Sequence, residues 1–180
     1  MVKALFVGLF LFSSTSFAGY QSVYTNIDYK SCVTVDSSEL HSEPEIDFYT
    51  GECPALGGYR VTISGGDIRY SLKLNYNGVE IPTVRPGGFH DLPSSKIEWR
   101  YERVGSWGNY GVNYKALIYR LNATVDYDDS TGNPISEDML VVVRLKREKS
   151  CVVGIVKQQA DMNKKARKIA DNMNASCIAL

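Results

Sequence analysis

Asp67, Arg69, Glu98 and Arg100 are the first residues in this sequence that could do chemistry together. Each pair is spaced by two inside an alternating apolar and polar run, so each would share the wet face of one strand. If the two faces adjoin, the arginine forks could grip a carboxylate or phosphate with two bonds each. The plainer outcome is a set of cross-strand ion pairs that solvates a sheet. Arg69 and Arg100 are the ligand candidates, with Glu98 beside them. His90, next to Asp91, could be an oriented base, but no nucleophile accompanies it and it reads as a loop histidine. His41 falls in an acidic loop. The hydrolase signatures GxSxG, HExxH and SxxK do not occur.

Two further groups stand out. Asp126, Asp128, Ser130 and Glu137 match the first, third, fifth and twelfth positions of a calcium loop. Gly132 comes one place late and the flanks read as strands, so a polar hairpin loop is the simpler reading and no metal is assigned. Trp107 and Tyr110 stand among glycines in the segment Val104-Gly105-Ser106-Trp107-Gly108-Asn109-Tyr110-Gly111. Large rings at a hairpin tip gain by stacking on a sugar or protein partner, unless they fold back over the sheet edge. They are the leading candidates for a partner-binding surface.

The elements that must position these groups follow from the chain's beginning. Lys3 precedes an apolar run from Ala4 to Phe12 and then Ser16-Phe17-Ala18, the pattern of a secretory signal peptide cleaved after Ala18. Residues 1–18 are therefore expected to be a leader and residues 19–180 a single secreted domain, periplasmic or extracellular. The apolar run is too short to span a bilayer, and no transmembrane segment is expected in the mature chain. With 20 basic and 20 acidic residues in 180, the chain has no electrostatic preference for nucleic acid. Hydrophobic residues at 44% and charged residues at 22% exclude a disordered or collagen-like chain.

An exported chain with four cysteines can pair them all. Cys151 opens an apolar strand over residues 151–157, about 23 Å long. A helix expected over about residues 158–174 runs back about 25 Å. The lengths nearly cancel and bring Cys177 beside Cys151, so Cys32 pairs with Cys53 by elimination. Each bridge is worth about 3 kcal/mol in the chain-entropy model. No CxxC spacing suggests zinc or a redox motif.

After Cys53 the periodicity reads as strands over residues 59–64, 67–76, 96–103, 112–124, 139–145 and 151–157, the first two flanking a turn at Gly65-Gly66. Residues 139–145 are apolar on both faces, hence central or covered. The helix carries Met162, Ala166, Ile169, Ala170 and Met173 on one stripe. The expected fold is α+β: a twisted, largely meander antiparallel sheet of six to seven strands, with one C-terminal helix on a face and two disulfides.

The run Cys53-Pro54-x-x-Gly57-Gly58-Tyr59, then Gly66-Asp67-Ile68-Arg69, Ile97-Glu98-Trp99-Arg100, Val141-Val142-Val143-Arg144-Leu145 and Cys151, resembles a group of small exported proteobacterial proteins. The likeness spans about residues 53–177. It implies a bacterial periplasmic or extracellular setting and supplies no catalytic roles. The reading that follows is an exported binding module of the envelope, monomeric or weakly oligomeric, with a protein or glycan partner and no cofactor. An inhibitor of an enzyme fits its size. A small hydrolase-like enzyme and a structural envelope component are the alternatives. Asn122-Ala123-Thr124 and Asn174-Ala175-Ser176 match glycosylation sequons.

Overall fold

The computed structural model describes residues 19–28, 30–37, 48–66, 69–84, 90–91, 96–106 and 109–180. The expected leader at 1–18, His41, Asp67 and Trp107 lie outside them. The strands are β1 (Gln21–Asn26), β2 (Val33–Ser37), β3 (Phe48–Cys53), β4 (Tyr59–Gly66), β5 (Arg69–Tyr76) and β6 (Val79–Ile81), followed by β7 (His90–Asp91), β8 (Lys96–Ser106), β9 (Asn109–Tyr127), β10 (Pro134–Arg144) and β11 (Cys151–Lys157). One helix, α1 (Met162–Ala170), follows. The fold is thus mostly antiparallel sheet with a C-terminal helix, as the periodicity implies, with more strands than the alternation reveals.

Hydrogen bonding links the strands into two antiparallel ladders, β1-β8-β9-β10-β11 and β2-β3-β4-β5-β6. Short β7 joins them, pairing its His90 with Arg69 of β5 and Ala123 of β9. The inward residues of both ladders form one core. Val61, Ile63, Leu72, Leu74 and Ile81 from the second meet Ile97, Trp99, Leu117, Tyr119 and Val141 from the first. Their period of two places these apolar sets on one side of each pleat.

The first ladder is apolar on its other face too. Ala116, Ile118, Leu140, Val142, Val153 and Val156 pack there against Met162, Ala166 and Ala170 of α1. The result is three layers, with the first ladder in the middle. This explains why residues 139–145 are apolar on both faces. Gly154 on β11 lets α1 approach closely: a Cβ there would come within 3.0 Å of Ile169.

The helix is shorter than the 158–174 expected from its stripe. Asp161 takes a left-handed conformation just before its first turn, and Asp171 N–H closes it onto the Arg167 carbonyl at 2.9 Å. Arg167 and Lys168 in the last turn oppose the negative end of the helix dipole. The chain still returns as the length argument requires, and the disulfides are Cys32–Cys53 and Cys151–Cys177. Gly65 and Gly66 are strand residues, paired with Tyr70 and Arg69, where the sequence suggests a turn. The Tyr70 ring lies over Gly65, where a Cβ would come within 2.5 Å of it, so the missing side chain serves packing.

The acidic segment after β9 is a tight polar loop. The Asp128 carboxylate accepts from the N–H groups of Ser130 and Thr131 at 2.9 and 2.8 Å and from both their hydroxyls. These bonds, the Ser130 hydroxyl first, hold its pKa down to about 2. Among the described residues, no helix is long and apolar enough to cross a membrane.

Candidate functional site

Glu98 and Arg100 do come together, on the face of β8 turned toward α1. They are 9% and 8% exposed, and the groups that surround them come from β1 and the helix. Arg100 donates to both oxygens of Asp171, at 2.9 and 2.6 Å, and to Ser22 Oγ at 2.6 Å. Arg167 donates to both oxygens of Glu98, at 2.7 and 3.1 Å, and to the Tyr24 hydroxyl at 3.1 Å. Ser22 Oγ also donates to Glu98. Arg167 and Asp171 are four residues apart, so both reach down from one helix face.

The cluster is a charge-balanced clasp of two forks between sheet and helix. Burial pushes the Glu98 carboxyl up, but hydrogen bonds from Arg167 and Ser22 and the charges of Arg167 and Arg100 outweigh it and hold the pKa below its ordinary value. The Glu98 hydrogen bond raises that of Arg167. Arg69 is elsewhere. It alternates with Leu72 and Leu74 of β5, so it stands on the outer face of the second ladder, with the whole core between it and Arg100. Two sheets, not one, separate the arginines that the sequence groups together.

Tyr110 belongs to a different surface. Pairing of β1 with β8 stops at Tyr101, and pairing of β10 with β9 stops at Ala116. Beyond those points β8 and β9 continue alone, as a two-stranded arm. Lys115 is the extra residue of a bulge opposite Arg100 and Tyr101, and bulges bend and twist a ribbon. The register pairs Tyr114 with Tyr101, Val112 with Arg103 and Tyr110 with Gly105, so Tyr110, Val112 and Tyr114 share one face. Tyr110 is 57% and Val112 51% exposed. Tyr114 is anchored at the base by Trp99, edge-on at 6.1 Å, and Tyr101, at 6.0 Å.

A cleft of about 510 Å3 opens at the base of this arm. The last bond between β9 and the end of β10 runs from Leu145 N–H to the Lys115 carbonyl, 2.8 Å. Beyond it β9 passes into the arm while the other chain turns through residues 146–150 toward β11. The cleft is the gap between them. Tyr59, Tyr76, Val112 and Tyr114 supply rings and apolar surface, and Arg144, Lys146 and Arg147 supply charge.

The turn that carries these charges is preformed. Buried Tyr59 accepts the Arg147 N–H at 2.8 Å and shares a hydrogen bond of 3.1 Å with the Ser150 hydroxyl. Ser150 Oγ in turn accepts the Lys146 N–H at 2.8 Å and donates to the Arg147 carbonyl at 2.5 Å. Burial pushes the Tyr59 phenol up, so it remains protonated. Arg147 itself has φ 55°, a left-handed conformation that costs a residue with a side chain about 1 to 3 kcal/mol. The turn therefore holds a strained backbone that fixes where Arg147 emerges.

Charge at this end is only partly balanced, by Glu148 of the same turn, whose charge reaches Tyr59. Among the described residues, no carboxylate lies within 4.0 Å of Arg144, Lys146 or Arg147. Glu148 of the turn instead accepts from Asn77 at 3.3 Å. Arg144 donates to the Ala175 carbonyl and to the sulfurs of Cys151 and Cys177 at 3.6 and 3.5 Å, and its buried Nε finds no partner. Among the described lining residues there is no Ser, Thr, Cys, His, Asp or Glu.

Of the residues that the sequence singles out as site candidates, Tyr110 stands on the arm outside the cleft's lining, and none of the lining residues is among them. The available signal was the run Lys146-Arg147-Glu148-Lys149 between two apolar strands. No protein-family model, no curated protein and no solved structure matches the chain.

Proposed function

We propose that this chain is an exported, non-catalytic binding module of the bacterial envelope, which holds its partner on the arm and in the cleft at the arm's base. The observation that carries the reading is the preformed turn of unpaired cations above a floor of tyrosines. Such a surface offers a partner stacking area and charge. A ribbon projecting from a domain that two disulfides cross-link elsewhere suits a protein partner, and an exported enzyme that the module inhibits is of the right kind. The disulfides fit an oxidising compartment.

The test compares partners captured from envelope extract by the wild type and by a Tyr110→Ala, Val112→Thr variant. Both positions are exposed, so the variant keeps the fold. Loss of the captured species with unchanged thermal unfolding is the expected result. Identical capture by both proteins would remove the arm from the account. Export is checked separately, by N-terminal sequencing of the secreted protein, which is expected to begin at Gly19.

A further inference from the structure

The gap beside the arm has the dimensions and edge chemistry of a missing strand. β10 runs alongside β9 as far as Ala116 and then leaves at Leu145, but β9 continues through Tyr114, Asn113, Val112, Gly111 and Tyr110. On its β8 side this stretch is fully paired. On the other side, no backbone hydrogen bond among the described residues reaches it beyond the one from Leu145 to Lys115. Five residues of open edge are about 17 Å long, enough for a peptide of five or six residues. The cleft lies along this edge, lined by Val112, Asn113, Tyr114 and Lys115.

We infer that the cleft takes an extended acidic segment of a partner protein, which adds as a strand to the open edge of β9 and continues the line that β10 abandons. This inference rests on the binding reading above and names the class of its partner. A polypeptide is favoured because the unpaired groups are a row of backbone donors and acceptors, which only another backbone satisfies in register. Acidity is favoured because the inner end of the slot carries Lys146, Arg147 and Arg144 with no carboxylate to meet them. Lys115 is already satisfied, by Glu102 at 2.6 Å.

The same geometry sets the pattern of the bound segment. Tyr110, Val112 and Tyr114 alternate along one face of the arm, so every second residue of the added strand lies beside them. Those positions select apolar side chains. Asp or Glu is expected at the end nearest residues 146–147. The strained Arg147 backbone and its Tyr59 support then have a role: they place a cation at the inner end of the slot before the ligand arrives, which reduces the ordering cost of binding.

The test uses the folded, disulfide-intact chain and a positional-scanning library of terminally blocked octapeptides. The expected binders alternate apolar residues and carry acids toward one end. The best of them should slow amide exchange within residues 110–114 and lose affinity by about tenfold or more when alternate backbone nitrogens are methylated, since the side chains remain but one edge can no longer pair. A Lys146→Glu variant, altered at an exposed side chain, should bind the same peptide about tenfold more weakly.

Absence of binders, no preference for acids, or equal binding of the methylated peptide would each overturn the inference. So would protection of residues 110–114 by polygalacturonate and not by peptide, or by self-association of the chain alone. If these results fail while the Tyr110→Ala, Val112→Thr variant still loses its envelope partner, the binding reading survives and the strand-addition inference alone is lost.

Discussion

Replacing Glu98 by Gln separates a structural clasp from a ligand site. The carboxylate is buried and accepts three hydrogen bonds, two of them from Arg167. Removing one partner of a buried pair costs about 3 to 5 kcal/mol when the other charge is stranded. Here that figure is reduced: the Arg167 side chain is 42% exposed and can rehydrate, and Arg100 keeps its two bonds to Asp171. A loss of about 2 kcal/mol remains, which for a domain of this size lowers Tm by about 4 to 8 °C. The pH dependence carries the sharper prediction. The folded pKa of Glu98 lies below the ordinary glutamate value of 4.5. Its contribution is therefore fully present above about pH 4.5 and is lost as pH falls through the folded pKa. Urea unfolding of wild type and Glu98→Gln should show a constant gap from pH 6 to 8 that narrows as pH falls below about 4.5. A variant within about 0.5 kcal/mol of wild type at pH 7, or a gap that does not narrow on acidification, would refute the clasp.

Three other outcomes follow from the cleft and the cross-links. Arg147→Gly relieves the positive φ and should stabilise the protein by about 1 kcal/mol in denaturant titration while weakening partner capture, because strain and charge sit on the same residue. Tyr59→Phe strips the Arg147 N–H and the Ser150 hydroxyl of a buried partner, so it should cost about 1 to 3 kcal/mol and raise amide exchange at Arg147. In a thiol titration read by alkylation and mass spectrometry, Cys151–Cys177 should open at lower reductant than Cys32–Cys53, since Cys177 is exposed whereas Cys32 and Cys53 are both buried.

Much of the fold is legible in period-two alternation. Leu72 and Leu74 against Ser71 and Lys73, and Ile97 and Trp99 against Glu98 and Arg100, mark the inward and outward faces of β5 and β8. The stretch Leu140–Val143, apolar at every position, marks the middle layer. What alternation does not encode is which layer an outward face meets. Arg69 and Arg100 read identically, yet one faces out from the second ladder and the other is covered by α1. The strands before Cys53 escape the same reading because β1 and β2 lie at ladder edges, where Tyr24, Val33 and Val35 are exposed and no clean alternation survives. The cleft is harder still: it exists because two neighbouring strands part company at Leu145 and Ala116, and no local residue pattern records a divergence.

That divergence also bears on where the proposed partner would dock. A middle sheet packed on both faces has nothing left to offer a ligand except its edges and ends. One edge strand, β11, is partly occupied, since Ile178 of the C-terminal tail donates to the Val152 carbonyl at 2.9 Å. The charges nearest the helix are consumed in mutual pairs. At the opposite extreme, the arm leaves the layers altogether, carrying the open edge of β9 past the cationic turn. A sequence change that lengthened β10 by pairing residues 146–148 with the arm would fill the slot from within. The Tyr59 and Ser150 hydrogen bonds prevent that pairing by bending the chain away at Lys146, so the core residue that packs against Trp99 at 6.3 Å is also the one that keeps the slot vacant.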